Sequence, residues 1–319
     1  MANGRGGKGG VRVGTASWTD PTLIKSGWYP KGVAGSAEAR LRFYATQFPI
    51  VEVDASYYYL PREDQAGLWV ERTPPDFVFN VKAFSLLTGH PTRRNALPEE
   101  LLDEVAPEHR DKQRLYASHL SADGIAEVWR RFQEALLPLD SAGKLGAVLL
   151  QYPEWFSPRR SNREELRSVR DRLPGYQVCV EFRNGTWLAE GRDRERTLEL
   201  LSELRLPLVC VDMPQGFRSS LPPVAEVTSP DLAVVRFHGR DPKAWEKKTV
   251  SERFRYRYDE DELREWVPKV EHLAEGAREV HALMNNCFRD HAVTNARQLA
   301  DLLNSADVPV AAPGGRPPP

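Results

Sequence analysis

Cysteines, long apolar runs and a signal sequence are scarce or missing in this 319-residue chain. Its three cysteines, Cys179, Cys210 and Cys287, are odd in number and show no Cys-x-x-Cys spacing, which argues against a disulfide scaffold or a structural zinc site. No apolar stretch is long enough to span a bilayer, and residues 1–10 lack the apolar core of a signal peptide. We therefore expect a cytoplasmic protein without a membrane partner.

An excess of charge of one sign is also lacking. Lysine and arginine number 44 against 45 aspartates and glutamates, which gives a formal net charge of −1. Without a global positive field, nonspecific nucleic-acid binding is not favoured, although a local basic groove remains open. The chain also has no Gly-x-Gly-x-x-Gly turn after an apolar run, which argues against an open dinucleotide-binding sheet.

Eight short apolar runs are spread along the chain and alternate with stretches of helical period. The runs are 11–18, 48–56, 77–83, 145–153, 178–183, 206–212, 232–239 and 279–286; the helical stretches are 37–47, 122–137, 163–173, 194–204, 260–273 and 292–303. Ser161 and Glu164 have the spacing of a capping box at the start of a helix. Eight alternations over this length predict a single (β/α)₈ TIM barrel.

The domain is expected to span 11–305, between disordered tails at 1–10 and 306–319 that are rich in glycine or proline. Two connections depart from the regular alternation of strands and helices. Residues 88–121 form a long insertion between the third and fourth strands, for which we expect extra helices or a flap over the barrel. The connection after Asp212 is rich in proline, so we expect a loop there.

Polar residues follow the apolar runs at their C-terminal ends and often lie two positions apart. In a TIM barrel, inward-pointing residues at the strand ends meet around one mouth. This predicts a charged mouth built from Glu52, Asp54, Lys82, Gln151, Glu181, Arg183, Asp212, Arg236, His238 and Asn285. Charges in a partly desolvated pocket must pair, bind a ligand or shift their pKa values.

Seven ordered motifs make the chain resemble the YecE-like family, a widespread family of unknown function with a TIM-barrel fold. They are Gly14-Thr15-Ala16-Ser17-Trp18, the segment 51–58 from Val51 to Tyr58, Val81-Lys82-Ala83, Leu150-Gln151-Tyr152-Pro153, Glu181-Phe182-Arg183 with Trp187, the segment 235–240 from Val235 to Arg240, and Asn285-Asn286. Ser17 and Asp54 replace the family's commoner glycine and asparagine. The resemblance implies the barrel and a set of site residues, but no reaction.

The mouth residues suit acid–base chemistry on an anionic substrate. Glu181 with Asp212 or Glu52 would supply two carboxylates, and His238 a proton shuttle. Arg183, Arg236, Lys82 and the backbone of Gly239 would hold a phosphate or carboxylate. Gln151, Asn285, Asp54, Tyr57 and Trp187 complete the predicted binding residues. A purely structural salt bridge between Glu181 and Arg183 is the alternative.

No cofactor is firmly implied. A single Mg²⁺ or Mn²⁺ held by the carboxylates and His238 stays open, whereas a trinuclear zinc site would need more histidines at strand ends.

Three function classes remain. The first is an enzyme acting on a polar or anionic small molecule that contains a sugar or phosphate. The second is a nucleic-acid-binding or phosphodiesterase-like protein that grips phosphates with Arg93, Arg94, Arg240, Lys243, Lys247 and Lys248. The third is a ligand sensor without turnover. The pattern carries no signal for an oligomeric state.

Overall fold

The computed structural model describes residues 9–245 and 250–314. Most of the predicted N-terminal tail, the end of the predicted C-terminal tail, and Lys247 and Lys248 lie outside these described residues. The described part of the C-terminal segment packs on the domain: Val308 is buried, and Val310 forms a parallel bridge with Val11.

The core is an eight-stranded parallel sheet that forms a nearly closed barrel, as the sequence predicts. Hydrogen-bonded neighbours run in the order β7-β6-β3-β2-β1-β10-β9-β8, and a parallel bridge between Val180 and Leu208 joins the two ends. The barrel strands are β1 (Gly10–Thr15), β2 (Ile50–Val53), β3 (Val78–Lys82), β6 (Leu145–Gln151), β7 (Val178–Glu181), β8 (Val209–Asp212), β9 (Ala233–Phe237) and β10 (Glu279–Met284). Each of the eight predicted runs coincides with one of them, although β1 begins one residue before its run.

Helices pack around the barrel and cover the six stretches of predicted helical period. They are α1 (Pro21–Lys25), α2 (Ala37–Ala45), α3 (Glu63–Glu71), α4 (Glu99–Leu102), α5 (Ala122–Ser141), α6 (Arg160–Arg172), α7 (Arg192–Glu203), α8 (Pro242–Trp245), α9 (Val250–Arg253), α10 (Glu260–Arg264), α11 (Val267–Gly276) and α12 (His291–Ser305). None of the described helices is both long and apolar enough to cross a membrane.

The predicted capping box of Ser161 and Glu164 is wrong. Helix α6 begins one residue earlier, at Arg160, and its N-cap residue Arg159 makes no side-chain cap. Ser161 therefore lies inside the first turn, where its hydroxyl is not in the capping position.

The two irregular connections have the expected positions. The insertion between β3 and β6 contains short helical turns, as expected. It also contains an antiparallel hairpin of β4 (Thr92–Arg93) and β5 (Arg114–Leu115), which the sequence pattern does not predict. The connection between β8 and β9 contains no helix, as expected.

Strand register decides which polar residues face the barrel interior. In β9, Arg236 reaches carboxylates on β2 and β7 across the barrel, so it points inward. Its register partner on β8 is Val211, whereas Asp212 pairs with Phe237. Because side chains alternate along a strand, Asp212 points to the outer face of the barrel.

Candidate functional site

A cavity of about 600 Å³ opens at the C-terminal ends of the strands. We call it the mouth cavity. Its lining residues are Asp54, Tyr57, Tyr58, Lys82, His90, Gln151, Pro153, Glu154, Trp155, Arg183, Phe217, Arg218, Ser219, Trp245, Arg253, Phe254 and Asn285. Six of the predicted site residues are among them: Asp54, Tyr57, Lys82, Gln151, Arg183 and Asn285.

Behind the cavity, Arg236 joins two carboxylates inside the barrel. Its Nη2 lies 2.5 Å from Glu52 Oε1 and its Nη1 2.5 Å from Glu181 Oε2. All three side chains are at most 1% exposed. Burial alone would raise the pKa of Glu181, but the nearby Arg183 and Arg236 hold it well below its usual value. Burial raises the pKa of Glu52 although Arg236 opposes the shift.

Arg183 separates this buried cluster from the mouth cavity. Its Nε lies 2.6 Å from Glu181 Oε1, an ion pair that lacks hydrogen-bond geometry. Its Nη2 lies 3.4 Å from Gln151 Oε1, and the Arg183 side chain is 11% exposed. The guanidinium therefore faces the cavity while its charge is balanced from behind.

His238 is fixed in the same cluster. Asn285 Nδ2 lies 2.8 Å from His238 Nδ1, and His238 Nε2 lies 3.3 Å from both Glu181 Oε1 and Arg183 Nη2. Burial and the charge of Arg183 lower the pKa of His238 to about 3. A neutral imidazole is thus the form present near neutral pH.

A second ion pair lies in the cavity wall itself. Lys82 Nζ donates to Asp54 Oδ1 at 2.8 Å and lies 4.4 Å from the ring centre of Tyr57. The Asp54 side chain is 30% exposed. Burial alone would raise the pKa of Asp54, but the Lys82 ammonium outweighs it and lowers the pKa. Asp54 is therefore an ionised carboxylate open to a ligand.

Aromatic side chains form much of the remaining wall. Trp155 is 48% exposed and Tyr58 45%. Trp245 lies against two guanidinium groups, with its ring centre 5.3 Å from Arg183 and 5.4 Å from Arg253. These rings offer stacking surfaces next to positive charge.

Several of these wall residues were not predicted from the sequence. They are His90, Tyr58, Trp155, Arg218 and Arg253. Only Tyr58 carried a usable signal, because it ends the same family-like segment as Asp54. His90, Trp155 and Arg218 lie in loops, and Arg253 is the last residue of the short helix α9. The course of these segments over the barrel is not encoded by a periodic pattern.

The structure corrects the placement of Asp212 at the mouth. Its carboxylate accepts from Tyr258 Oη at 2.7 Å, from Trp266 Nε1 at 2.6 Å and from Arg240 at 2.8–3.1 Å. It lines no part of the mouth cavity and shares no contact with Glu181 among the described residues. Asp212 instead ties the outer face of the barrel to the segment around α10 and α11.

Two other predicted binding residues also lie elsewhere. Trp187 is completely buried and stacks on Phe182 at 4.3 Å between ring centres, so it is a core residue. Gly239 has φ +89° and its N–H donates to Tyr258 Oη at 2.8 Å. Neither lines the mouth cavity.

The predicted carboxylate set for a divalent cation is not assembled. Glu52 and Glu181 each give one oxygen to Arg236, and Asp212 is on the outer face. Across residues 9–245 and 250–314, no group of three or more His, Cys, Asp or Glu side chains has a metal-binding arrangement. The side chains gathered at the mouth suit an anionic ligand better than a cation.

Comparison with known proteins identifies the family. The family described as "Protein of unknown function DUF72" matches residues 12–317. The chain belongs to this family.

Its relatives share nearly the whole length. "UPF0759 protein YunF" of Bacillus subtilis (strain 168) is 29% identical over 299 residues, which are 92% of this chain and 95% of that protein. A DUF72 family crystal structure from Thermotoga maritima MSB8 is 29% identical, with a TM-score of 0.72 and coverage of 92% and 99%. One from Enterococcus faecalis V583 is 26% identical, with a TM-score of 0.73 and coverage of 92% and 95%. The barrel is thus the fold of the family.

Proposed function

We propose that this DUF72 protein is an enzyme that acts on an anionic small molecule in the mouth cavity, by proton transfer at the Asp54–Lys82 pair. The ligand carries a phosphate or carboxylate and a sugar or other ring. The observation that carries the proposal is the combination, in one cavity, of four cationic side chains, aromatic rings and an ionised, part-exposed carboxylate.

The charges of the wall favour an anion. Four lining side chains are cationic, Lys82, Arg183, Arg218 and Arg253, and two are anionic, Asp54 and Glu154. Arg183 presents a planar donor fork, which suits the paired oxygens of a carboxylate or phosphate. Because Glu181 and Gln151 hold this fork from behind, little conformational freedom is lost when the anion binds.

The proton-transfer groups differ from those predicted from the sequence. Glu52 and Glu181 are buried on Arg236, and Asp212 is on the outer face, so none of the three reaches the mouth cavity. Asp54 does reach it, and Lys82 Nζ lies 2.8 Å away. In this arrangement Asp54 accepts a proton from the substrate, and Lys82 stabilises the negative charge that develops.

Glu52, Glu181 and His238 then act indirectly. They surround Arg236 and Arg183 and fix the orientation of the Arg183 guanidinium. They are positioning residues in this proposal, since they do not line the mouth cavity.

A binding screen with matched variants tests the proposal. Glucose 6-phosphate, ribose 5-phosphate and adenosine monophosphate are titrated into wild type, Arg183→Gln, Asp54→Asn and the control Arg264→Gln by calorimetry. Arg264 is an exposed arginine paired with Glu260 on α10. We expect at least one probe to bind wild type and the control equally, and Arg183→Gln at least tenfold more weakly.

Turnover separates an enzyme from a sensor. The bound probe is incubated with protein and followed by phosphorus and proton NMR. Consumption by wild type that is lost in Asp54→Asn, with binding retained, supports the proposal. Unchanged affinity in Arg183→Gln contradicts the anion site, and binding without consumption contradicts the enzyme.

A further inference from the structure

Two arginines face each other across the β4–β5 hairpin of the insertion. Arg93 and Arg114 are register partners in this antiparallel pair, and both are exposed. Like charges directly opposite one another destabilise a strand pair. Neither forms an ion pair with a carboxylate of the described residues. The hairpin therefore holds a positive pair that an anion would stabilise.

Some exposed arginines elsewhere in the protein are neutralised by neighbours. Arg42 pairs with Glu38, Arg130 with Glu127 and Arg264 with Glu260. On the hairpin, the next residue, Arg94, donates from Nη1 to the carbonyl of Arg110, which carries no full charge. Arg93, Arg94 and Arg114 thus form no ion pair with an acidic side chain among the described residues.

The arginines line a concavity of about 560 Å³. We call it the hairpin cavity; its lining residues are Arg93, Arg94, Asn95, Leu97, Glu99, Leu102, Gln113 and Arg114. Three are cationic and one is anionic, so the lining favours an anion. A phosphate accepts several guanidinium hydrogen bonds at once and fits between opposed arginines.

The hairpin cavity lies beside the mouth cavity. Burial raises the pKa of Tyr58, a mouth-cavity residue, to about 12, and Arg93 is close enough to oppose that shift. Tyr59 shares a groove with Asn95 and Leu97, which also line the hairpin cavity. A ligand can therefore extend from one cavity to the other over these tyrosines.

Exposed aromatic rings mark the same path. Tyr58, Tyr59 and Trp155 are 45%, 53% and 48% exposed, and Tyr116, next to β5, is 38% exposed. They are four of the six large apolar side chains that are exposed in the described chain. Exposed rings interleaved with arginines are typical of surfaces that bind single-stranded nucleic acids, because bases stack on rings while phosphates pair with cations.

We propose that the hairpin and the mouth cavity together bind a single-stranded nucleic acid, with a backbone phosphate between Arg93 and Arg114 and a terminal nucleotide in the mouth cavity. The placement of the terminal nucleotide rests on the proposed function, because the nucleotide would be the anionic, ring-containing ligand of the mouth cavity. The hairpin contact does not depend on that function, because it is argued from the unpaired arginines.

Fluorescence anisotropy with a labelled eight-residue oligothymidylate tests this inference at several salt concentrations. Adenosine monophosphate, inorganic phosphate and a duplex of equal length are the other probes. The variants are Arg93→Gln/Arg114→Gln and a control with the same charge change, Arg42→Gln/Arg264→Gln. Circular dichroism confirms that both double variants fold.

We expect the single strand to bind wild type and the control alike. The hairpin variant should bind it at least tenfold more weakly. Its slope of log K against log salt concentration should be smaller in magnitude by about 0.7, the contribution of one lost phosphate contact. Its affinity for adenosine monophosphate should not change. Equal binding by the hairpin variant, or a preference for the duplex or for inorganic phosphate, overturns the inference.

The two proposals fail separately. If Arg183→Gln still binds adenosine monophosphate but the hairpin variant loses the oligonucleotide, the mouth proposal fails and the hairpin contact stands. If Arg183→Gln loses adenosine monophosphate but the hairpin variant still binds the oligonucleotide, only the hairpin contact fails.

Discussion

Arg183 stands between Glu181 and the mouth cavity, with its Nε 2.6 Å from Glu181 Oε1. The carboxylate is completely buried, whereas the guanidinium reaches the cavity. Glu181, which the sequence predicts as a catalytic acid, therefore holds Arg183, the predicted anion-binding group, in position. Removing the charge of Glu181 should act on binding through Arg183.

Glu181→Gln should weaken binding of an anionic probe and destabilise the fold. The amide leaves Arg183 and Arg236 without a shared counter-charge, and breaking a buried ion pair typically costs about 3–5 kcal/mol. Urea denaturation measures the loss. Glu165→Gln, which breaks a part-exposed pair with Arg172, is the control and should cost less than about 1 kcal/mol. Equal effects of the two changes would contradict the role of Glu181.

Arg236→Met should be among the most destabilising substitutions in the barrel, by about 3–5 kcal/mol. It leaves the carboxylates of Glu52 and Glu181 buried without their common partner. Adding Glu52→Gln should restore part of the loss, because one of the two uncompensated charges is then removed. A double-mutant cycle by urea denaturation measures this coupling; additive losses would show that the pair does not interact.

Asp212→Asn should lower stability without changing ligand affinity. The substitution weakens the hydrogen bonds from Tyr258, Trp266 and Arg240, at a cost of about 1–3 kcal/mol. Because Asp212 lies outside the mouth cavity, a probe that binds wild type should bind this variant within twofold. Calorimetry on the folded variant measures this affinity. A tenfold loss of affinity would show that Asp212 contributes to the ligand site.

Stability should fall as the pH drops from about 6.5 towards 3. Burial lowers the pKa values of His90 and His238 to about 3 each, whereas the unfolded chain takes up these protons near pH 6.5. In this window the unfolded state binds more protons, so each histidine contributes a slope of about 1.4 kcal/mol per pH unit.

Denaturation of His90→Asn and His238→Asn across this pH range tests the slope. Each variant should reduce the slope of the unfolding free energy against pH by about 1.4 kcal/mol per pH unit, which is the contribution of one proton. His272→Asn, at an exposed position of α11, is the control for the loss of a histidine. An unaltered slope in His238→Asn would mean that its ring is charged in the folded protein.

The sequence determined the architecture because buried side chains recur at regular spacings along strands and helices. Strands buried on both faces read as short apolar runs, and helices on the outside read as amphipathic stretches. The eight runs therefore predicted the barrel, and the insertion at 88–121 was predicted from its length alone. The polar ends of the runs also placed Lys82, Gln151 and Arg183 at the mouth.

Only the tertiary structure decided which residues the mouth contains. Both faces of a barrel strand are apolar, so the sequence shows that Asp212 alternates with Val211 but not which of them points inward. The register of β8 against β9 sets that direction and turns Asp212 outward. Long-range contacts, such as Arg236 with Glu52 and Arg183 with Trp245, depend on chain closure, which no local pattern encodes.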